Sequence, residues 1–229
     1  MLGAIIGDIV GSRFERHNHK SKDFDLFTDR CRFTDDTAMT VAVAKALLEC
    51  KGDYTELSDH TVRCMQEIGR KYPNAGYGQI FYLWLHHKNP GPYRSYGNGS
   101  AMRVSPCAWV TDCGFCARTS IWPTVGRNRA TLSAQVTHDH PEGVKGAAAV
   151  ADAIFMCRYH FGGWHGEYER HISDRPARCK ERIRKHIHQE YGYDLSRTLD
   201  EIRPGYQFNE TCQETVPQAI IAFLESRDF

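Results

Sequence analysis

Thr34-Asp35-Asp36-Thr37 runs straight into Ala38-Met39-Thr40-Val41-Ala42-Val43-Ala44-Lys45-Ala46-Leu47-Leu48-Glu49, and this stretch decides the reading of the fold. Met39, Val43, Ala46 and Leu47 share one face of a helix running from about Asp36 to Glu49. Thr and Asp ahead of such a run are ordinary N-cap residues, because their side-chain oxygens take up backbone N–H groups left free by the first turn. The same four residues offer two carboxylates and two hydroxyls. Oxygen-only donors suit Mg²⁺ or Mn²⁺ better than zinc, which favours His and Cys.

Working outward, apolar residues keep helical spacing through most of the chain, and period-two runs rich in Val, Ile and Thr are nearly absent. The pattern predicts an all-α protein. A first helix holds Ala4, Ile5, Ile6, Ile9 and Val10. Its Gly3, Gly7 and Gly11 lie on nearly one face, where tight helix packing or a ligand can come close. Further helices are expected over Ser58 to Tyr72, from near Pro141 through Ile154, and over Gln213 to Glu225, with an aromatic segment from Ile80 to Leu85. Asn89-Pro90-Gly91-Pro92 and Pro204-Gly205-Tyr206 read as loops. The basic stretch from Pro176 to Gln189 reads as a solvated helix face. Tyr77, Tyr82, Trp84 and His86 fit either a core or a pocket rim.

With 229 residues, 41% of them hydrophobic and 25% charged, the chain suits one domain spanning 1–229. A formal charge of +1 supplies no overall attraction to nucleic acid or anionic membrane, so a nucleic-acid partner is not expected. No stretch approaches the roughly 20 apolar residues of a spanning helix. Asp8 interrupts the apolar start, which lacks the features of a signal peptide, and a cytoplasmic location is expected. Nine cysteines, an odd count, argue for reduced and mostly buried thiols; Cys113-Gly-Phe-Cys116 stands alone, without a second CxxC.

Four short motifs carry the chemistry. They are Gly7-Asp8 with Gly11-Ser12 and then Glu15; Thr34-Asp35-Asp36-Thr37; Ser95-Tyr96-Gly97-Asn98-Gly99-Ser100-Ala101-Met102-Arg103; and Thr137-His138 with His140-Pro141-Glu142. The third is a Gly-rich turn of the kind that can cradle phosphate, although Gly-Asn-Gly is also ordinary turn chemistry. The fourth places two His and two acids close together, without the i, i+4 helical spacing of a metal pair.

In this order and spacing the four motifs resemble the ADP-ribosylglycohydrolase family, over nearly the whole chain from Gly3 to Val216-Pro217-Gln218-Ala219-Ile220. The resemblance implies a compact, orthogonal all-α bundle. It also implies hydrolysis of the glycosidic bond joining ADP-ribose to a protein side chain, usually with two Mg²⁺ ions, Mn²⁺ being an alternative. On that resemblance Thr34, Asp35 and Asp36 bind metal, and Glu15 is a mobile acid near the scissile bond. Ser95, Tyr96, Gly97, Asn98 and Gly99 hold the ADP-ribose, Tyr96 near the adenine, and His138 sits at the pocket edge. Asp8 is expected to be structural. The partner is then ADP-ribose or an ADP-ribosylated protein, with modified nucleic acid still open and no membrane.

The family pattern continues into a second acidic motif, Asp-x-Asp-Thr. After Val216 to Glu225 this sequence offers only Asp228. The expected domain is therefore C-terminally incomplete, and three readings stay open. The chain is a fragment, another residue or subunit supplies the acids, or the protein is an ADP-ribose-binding pseudoenzyme or partner-binding protein without the metal pair.

Overall fold

The computed structural model describes residues 1–110, 124–161 and 175–227. Within them the chain forms α1 (Leu2–Gly11), α2 (Asp35–Glu49), α3 (Leu57–Lys71), α4 (Gln79–His86), α5 (Thr124–Gln135), α6 (Pro141–Phe161), α7 (Arg175–Tyr191), α8 (Leu199–Ile202) and α9 (Cys212–Glu225). Two 3-10 turns, Asn98–Ser100 and Ser105–Ala108, follow α4. Among the described residues there is no β-strand, and the only bridge is the isolated antiparallel pair Gly97 and Thr211. The fold is all-α. The Cys113/Cys116 pair and Asp228 lie outside the described residues.

Each helix explains itself by its apolar spacing. In α2, Met39, Val43, Ala46 and Leu47 are all buried, as their spacing predicts. In α3 the buried face is Leu57, Thr61, Cys64, Met65 and Ile68. Gly69 ends that face because a methyl group there would come within 2.6 Å of the Leu85 side chain, so α4 lies hard against α3. Trp84 belongs to the core and Tyr82 to the surface.

α6 is the central helix, and small residues make it so. Ala147, Ala151 and Phe155 pack with α2, α3, α4 and α5 in one hydrophobic cluster. Ala149, Ala153 and Met156, on the opposite side, pack with α7, α8 and α9 in a second. A helix buried on both sides needs an apolar surface all round, and alanines let its neighbours approach closely.

The basic α7 is more than a solvated face. Cys179, Ile183 and Ile187 are buried at i, i+4 and i+8, while Lys180 is tied to Ser226 and Arg184 to the Leu195 carbonyl. Its His186 joins a buried knot around Asp152 of α6. That carboxylate is 1% exposed, and its Oδ2 accepts from Arg127 Nη2 at 2.7 Å, the Tyr191 hydroxyl at 2.6 Å and His186 Nε2 at 3.0 Å. None of the described helices is long and apolar enough to cross a membrane.

Removing Asp152 takes from the half-buried Arg127 its 2.7 Å partner, leaving it Glu190 at 3.4 Å, and strips the Tyr191 hydroxyl and His186 of their acceptor, a loss that typically costs about 1–3 kcal/mol. Asp152→Ala is therefore expected to lose about that much stability in urea unfolding; a loss under 1 kcal/mol, the scale of a surface pair, would show the knot to be incidental.

Candidate active site

The site begins at the N-terminus of α2. Thr34 takes the N-cap position with extended backbone, and its hydroxyl accepts from the Asp36 N–H at 3.3 Å. Asp8, reaching over from α1, completes the cap. Its Oδ2 accepts the Thr34 N–H at 2.8 Å, the Thr37 N–H at 3.1 Å and the Thr37 hydroxyl, while Oδ1 accepts the Thr34 hydroxyl at 2.5 Å. A carboxylate there meets free N–H groups and the positive end of the helix dipole, a favourable charge-assisted contact. Asp8 is structural, as expected, and it occupies the Thr34 hydroxyl, which is 2% exposed.

The two residues between, Asp35 and Asp36, are left to the cleft. The Asp35 N–H donates to Ala75 O at 2.9 Å, so the turn Ala75-Gly76 wraps its flank; Gly76 allows this with φ of +105°. Burial pushes the Asp35 carboxyl up to about 6, with Glu15, Asp8 and Glu210 adding repulsion. Asp36 is pushed up to about 7, again chiefly by burial and then by Asp35, Asp8 and Glu15. Glu15 is raised too, by burial and then by Asp8, with Arg32 and Arg16 opposing. Asp35, Asp36 and Glu15 are thus each raised by burial and by neighbouring acids, with too little positive charge nearby to offset them.

The cleft they border measures about 410 Å³. Asp8, Glu15 and Asp36 line it from one side, and Tyr206, Phe208 and Asn209 from the other. Gly7 and Gly11 of α1 also line it, and a methyl group built on either would touch nothing within 4 Å. The tight packing expected at these glycines is absent; their face opens onto the cleft.

The segment behind Phe208 is zipped to the Gly-rich loop. Asn98 N–H donates to Glu210 O at 2.7 Å, Cys212 N–H to Tyr96 O at 3.0 Å, and Asn98 Nδ2 to the Thr215 hydroxyl at 3.3 Å. Gly97 N–H is taken by the Ser95 hydroxyl at 3.2 Å. The amides of Gly97 and Asn98 are therefore engaged within the protein, whereas the Tyr96 side chain, 50% exposed, is presented to solvent.

His138 supports this loop from beneath. It is 4% exposed, and burial, then the Arg103 charge, lower its pKa to about 3, so the ring is neutral. Arg103 Nη2 donates to the Thr137 hydroxyl at 2.8 Å, and that hydroxyl lies 2.6 Å from His138 Nδ1. The Thr137 hydroxyl also reaches Ala134 O at 3.4 Å, so it links the Arg103 guanidinium, the helix carbonyl and the neutral imidazole. A methyl group on Gly99 would come within 3.1 Å of His138 Nε2. Arg103 itself is buried, donating also to Gly99 O and Ser133 O. From α6, Gly143 presses so close that a methyl group there would sit 2.6 Å from Ser95 O.

A family description for ADP-ribosylglycohydrolase matches residues 1–229. The chain belongs to the ADP-ribosylglycohydrolase family. Among curated proteins it is similar to the mouse "ADP-ribosylhydrolase ARH3", 32% identical over 186 residues covering 68% of this chain and 47% of the mouse protein. The human protein of the same name is 31% identical over 186 residues, 68% of this chain and 48% of its own length. The chain spans about half the length of the curated relatives it matches.

Of the residues expected from sequence, Asp8, Glu15 and Asp36 line this family member's cleft, Asp35 lies beside Asp36 in the first turn of α2, and Ser95 to Gly99 form a loop joined to the far wall. Phe14, Asn18, Phe208, Asn209 and the glycines of α6 were not anticipated. Their only sequence signal is proximity to Glu15, to the Pro204-Gly205 loop and to the His138 motif.

Two outcomes follow from this geometry. With divalent ions chelated, Asp35 and Asp36 keep protons up to pH 6 to 7 when folded but ionise from 3.8 when unfolded. Unfolding then releases protons, so their contribution to stability falls as pH rises from about 4 to about 7 and levels off above. Asp36→Asn is expected to match the parent's thermal midpoint near the lower limit and exceed it near the upper; parallel curves would refute the shift. Gly143→Ala is expected to destabilise by about 1–3 kcal/mol through overpacking against Ser95 O, read by urea unfolding.

Proposed function

We propose that this chain hydrolyses ADP-ribosyl glycosidic linkages, with ADP-ribose held in the cleft between α1 and the 206–211 segment. The observation that carries this is the half-buried carboxyl pair Asp35 and Asp36, pushed up to about 6 and 7, with Glu15 acting on both. The names of the mouse and human relatives, both ADP-ribosylhydrolases, support the same class.

The chemistry asks for such a cluster. A glycosidic bond breaks through an oxocarbenium-like state, so negative charge beside the anomeric carbon lowers the barrier. Glu15, its basicity raised by burial and by Asp8, is placed to take the proton of an attacking water. Tyr96 and Phe208, 50% and 64% exposed, offer flat apolar surface for a base, and Asn209 offers polar contacts.

The donor set fits a hard cation. It is oxygen-only, and its pKa values, raised first by burial and then by neighbouring acids, mark carboxylates whose charge a dication would stabilise. Among the described residues no three His, Cys, Asp or Glu side chains converge on one point. Mg²⁺ tolerates this, because it keeps several waters and is commonly held by one or two carboxylates. Asp35 and Asp36 would hold it, with Thr34 contributing only if its hydroxyl leaves Asp8. Bound there, Mg²⁺ or Mn²⁺ would orient the ribose hydroxyls and polarise the water.

The same lack of a three-carboxylate site favours a second reading, an ADP-ribose-binding protein without turnover. One assay separates them: release of free ADP-ribose from serine- and arginine-modified peptides, with Mg²⁺ or EDTA. Hydrolysis predicts metal-dependent release, reduced about 100-fold or more in Asp36→Asn. Binding of ADP-ribose unaffected by EDTA, with no release from any peptide, would replace hydrolysis by the binding function.

A further inference from the structure

We propose that Cys157 and Cys179 are a redox-responsive thiol pair that closes to a reversible disulfide between α6 and α7. The two residues face each other across packed helices. Cys157 packs, half-buried, against the hydrophobic cluster to which Cys179 belongs. The Cys179 thiol lies 4.0 Å from the carbonyl of Met156, the peptide group that leads directly into Cys157. The two thiols perturb each other's titration, as neighbouring sulfurs do. The pair is independent of the cleft and of the reaction proposed for it.

The chemistry of the pair is asymmetric. Lys180 lies beside both sulfurs and Arg182 beside Cys179, which favours loss of the pair's first proton; the remaining proton is held between the sulfurs. Cys179 is buried and Cys157 is half-buried, so a small oxidant meets Cys157 first. Cys179 is lowered and Cys157 raised, so the thiolate rests on Cys179, and exchange of the proton between the two sulfurs supplies the Cys157 thiolate that meets the oxidant.

With hydrogen peroxide the step balances. The Cys157 thiolate attacks one peroxide oxygen, the O–O bond breaks, and a sulfenic acid forms as hydroxide leaves and takes the Cys179 proton. The Cys179 thiolate then attacks the sulfenic sulfur, the S–O bond breaks, and the departing hydroxide regains the first proton as water. Two thiols have lost two electrons, and peroxide has become two waters. The cross-link joins residues far apart in sequence and restrains the central α6 against α7.

The test uses the full chain carrying Cys113→Ser and Cys116→Ser, so that no other vicinal pair contributes. After peroxide treatment, peptide mapping without reductant is expected to recover residues 157 and 179 in one cross-linked species, released by dithiothreitol. The thermal midpoint should rise on oxidation and return on reduction. Cys157→Ser and Cys179→Ser should each abolish both effects; if the buried Cys179 variant does not fold, the half-buried Cys157 variant carries the comparison. Recovery of both residues as separate thiols, or as separate sulfinic acids, from folded peroxide-treated protein would overturn the proposal.

Discussion

The carboxylate of Asp8, lodged on the N-terminus of α2, is the contact on which the cleft depends. Thr34 and Thr37 lie three residues apart, so they share a side of the helix start and both turn to Asp8. Their bonds bring α1 and α2 together and satisfy N–H groups that would otherwise be orphaned. With that side occupied, Asp36 keeps only a long 3.4 Å contact from the Thr34 hydroxyl and lines the cleft, with Asp35 beside it. An acid that serves as a cap thus leaves two other acids beside the cleft, and their desolvation, with repulsion added to it, is the cost of the arrangement.

The far wall is built by different means. The Gly-rich loop closes into the 3-10 turn Asn98–Ser100, and it is held by backbone bonds to Glu210 and Cys212 on one side and by contact with His138 on the other. Close contact with His138 and α6 requires glycine at positions 99 and 143. Beneath them Arg103 sits buried among the neutral oxygens of Gly99, Ser133 and Thr137. Burial lowers its pKa to about 10, which still leaves it charged at neutral pH. A neutral His138 and a charged Arg103 are thereby fixed under a loop whose own Gly97 and Asn98 amides are already satisfied.

Helix spacing made most of the fold legible. α2, α3 and α9 lie within a residue or two of where periodicity placed them, because each carries an apolar face; α6 begins at Pro141 as expected but runs on to Phe161, and the aromatic segment from Ile80 to Leu85 is the helix α4. α5 escaped notice, since Thr124–Gln135 is polar apart from small residues such as Ala130 and Ala134, which are buried only because α6 comes close. The basic α7 was read as a surface helix because charge dominates its composition. Its three buried residues are a narrow stripe that only packing against α6 and α9 reveals.

By itself the sequence determined that this is a helical protein, that Asp35 and Asp36 sit at the start of a helix beside Thr34 and Thr37, and which family the motifs resemble. These are local facts, carried by side chains within a few turns of one another. Tertiary structure alone decided which acid caps and which face the cleft, that His138 is neutral and buried, and that Phe208 and Asn209 form the opposite wall. Those outcomes depend on burial and on contacts between residues as far apart as Gly97 and Thr211. Dielectric environment and long-range approach have no signature in local spacing, and they set the protonation of the acids on which the proposed chemistry turns.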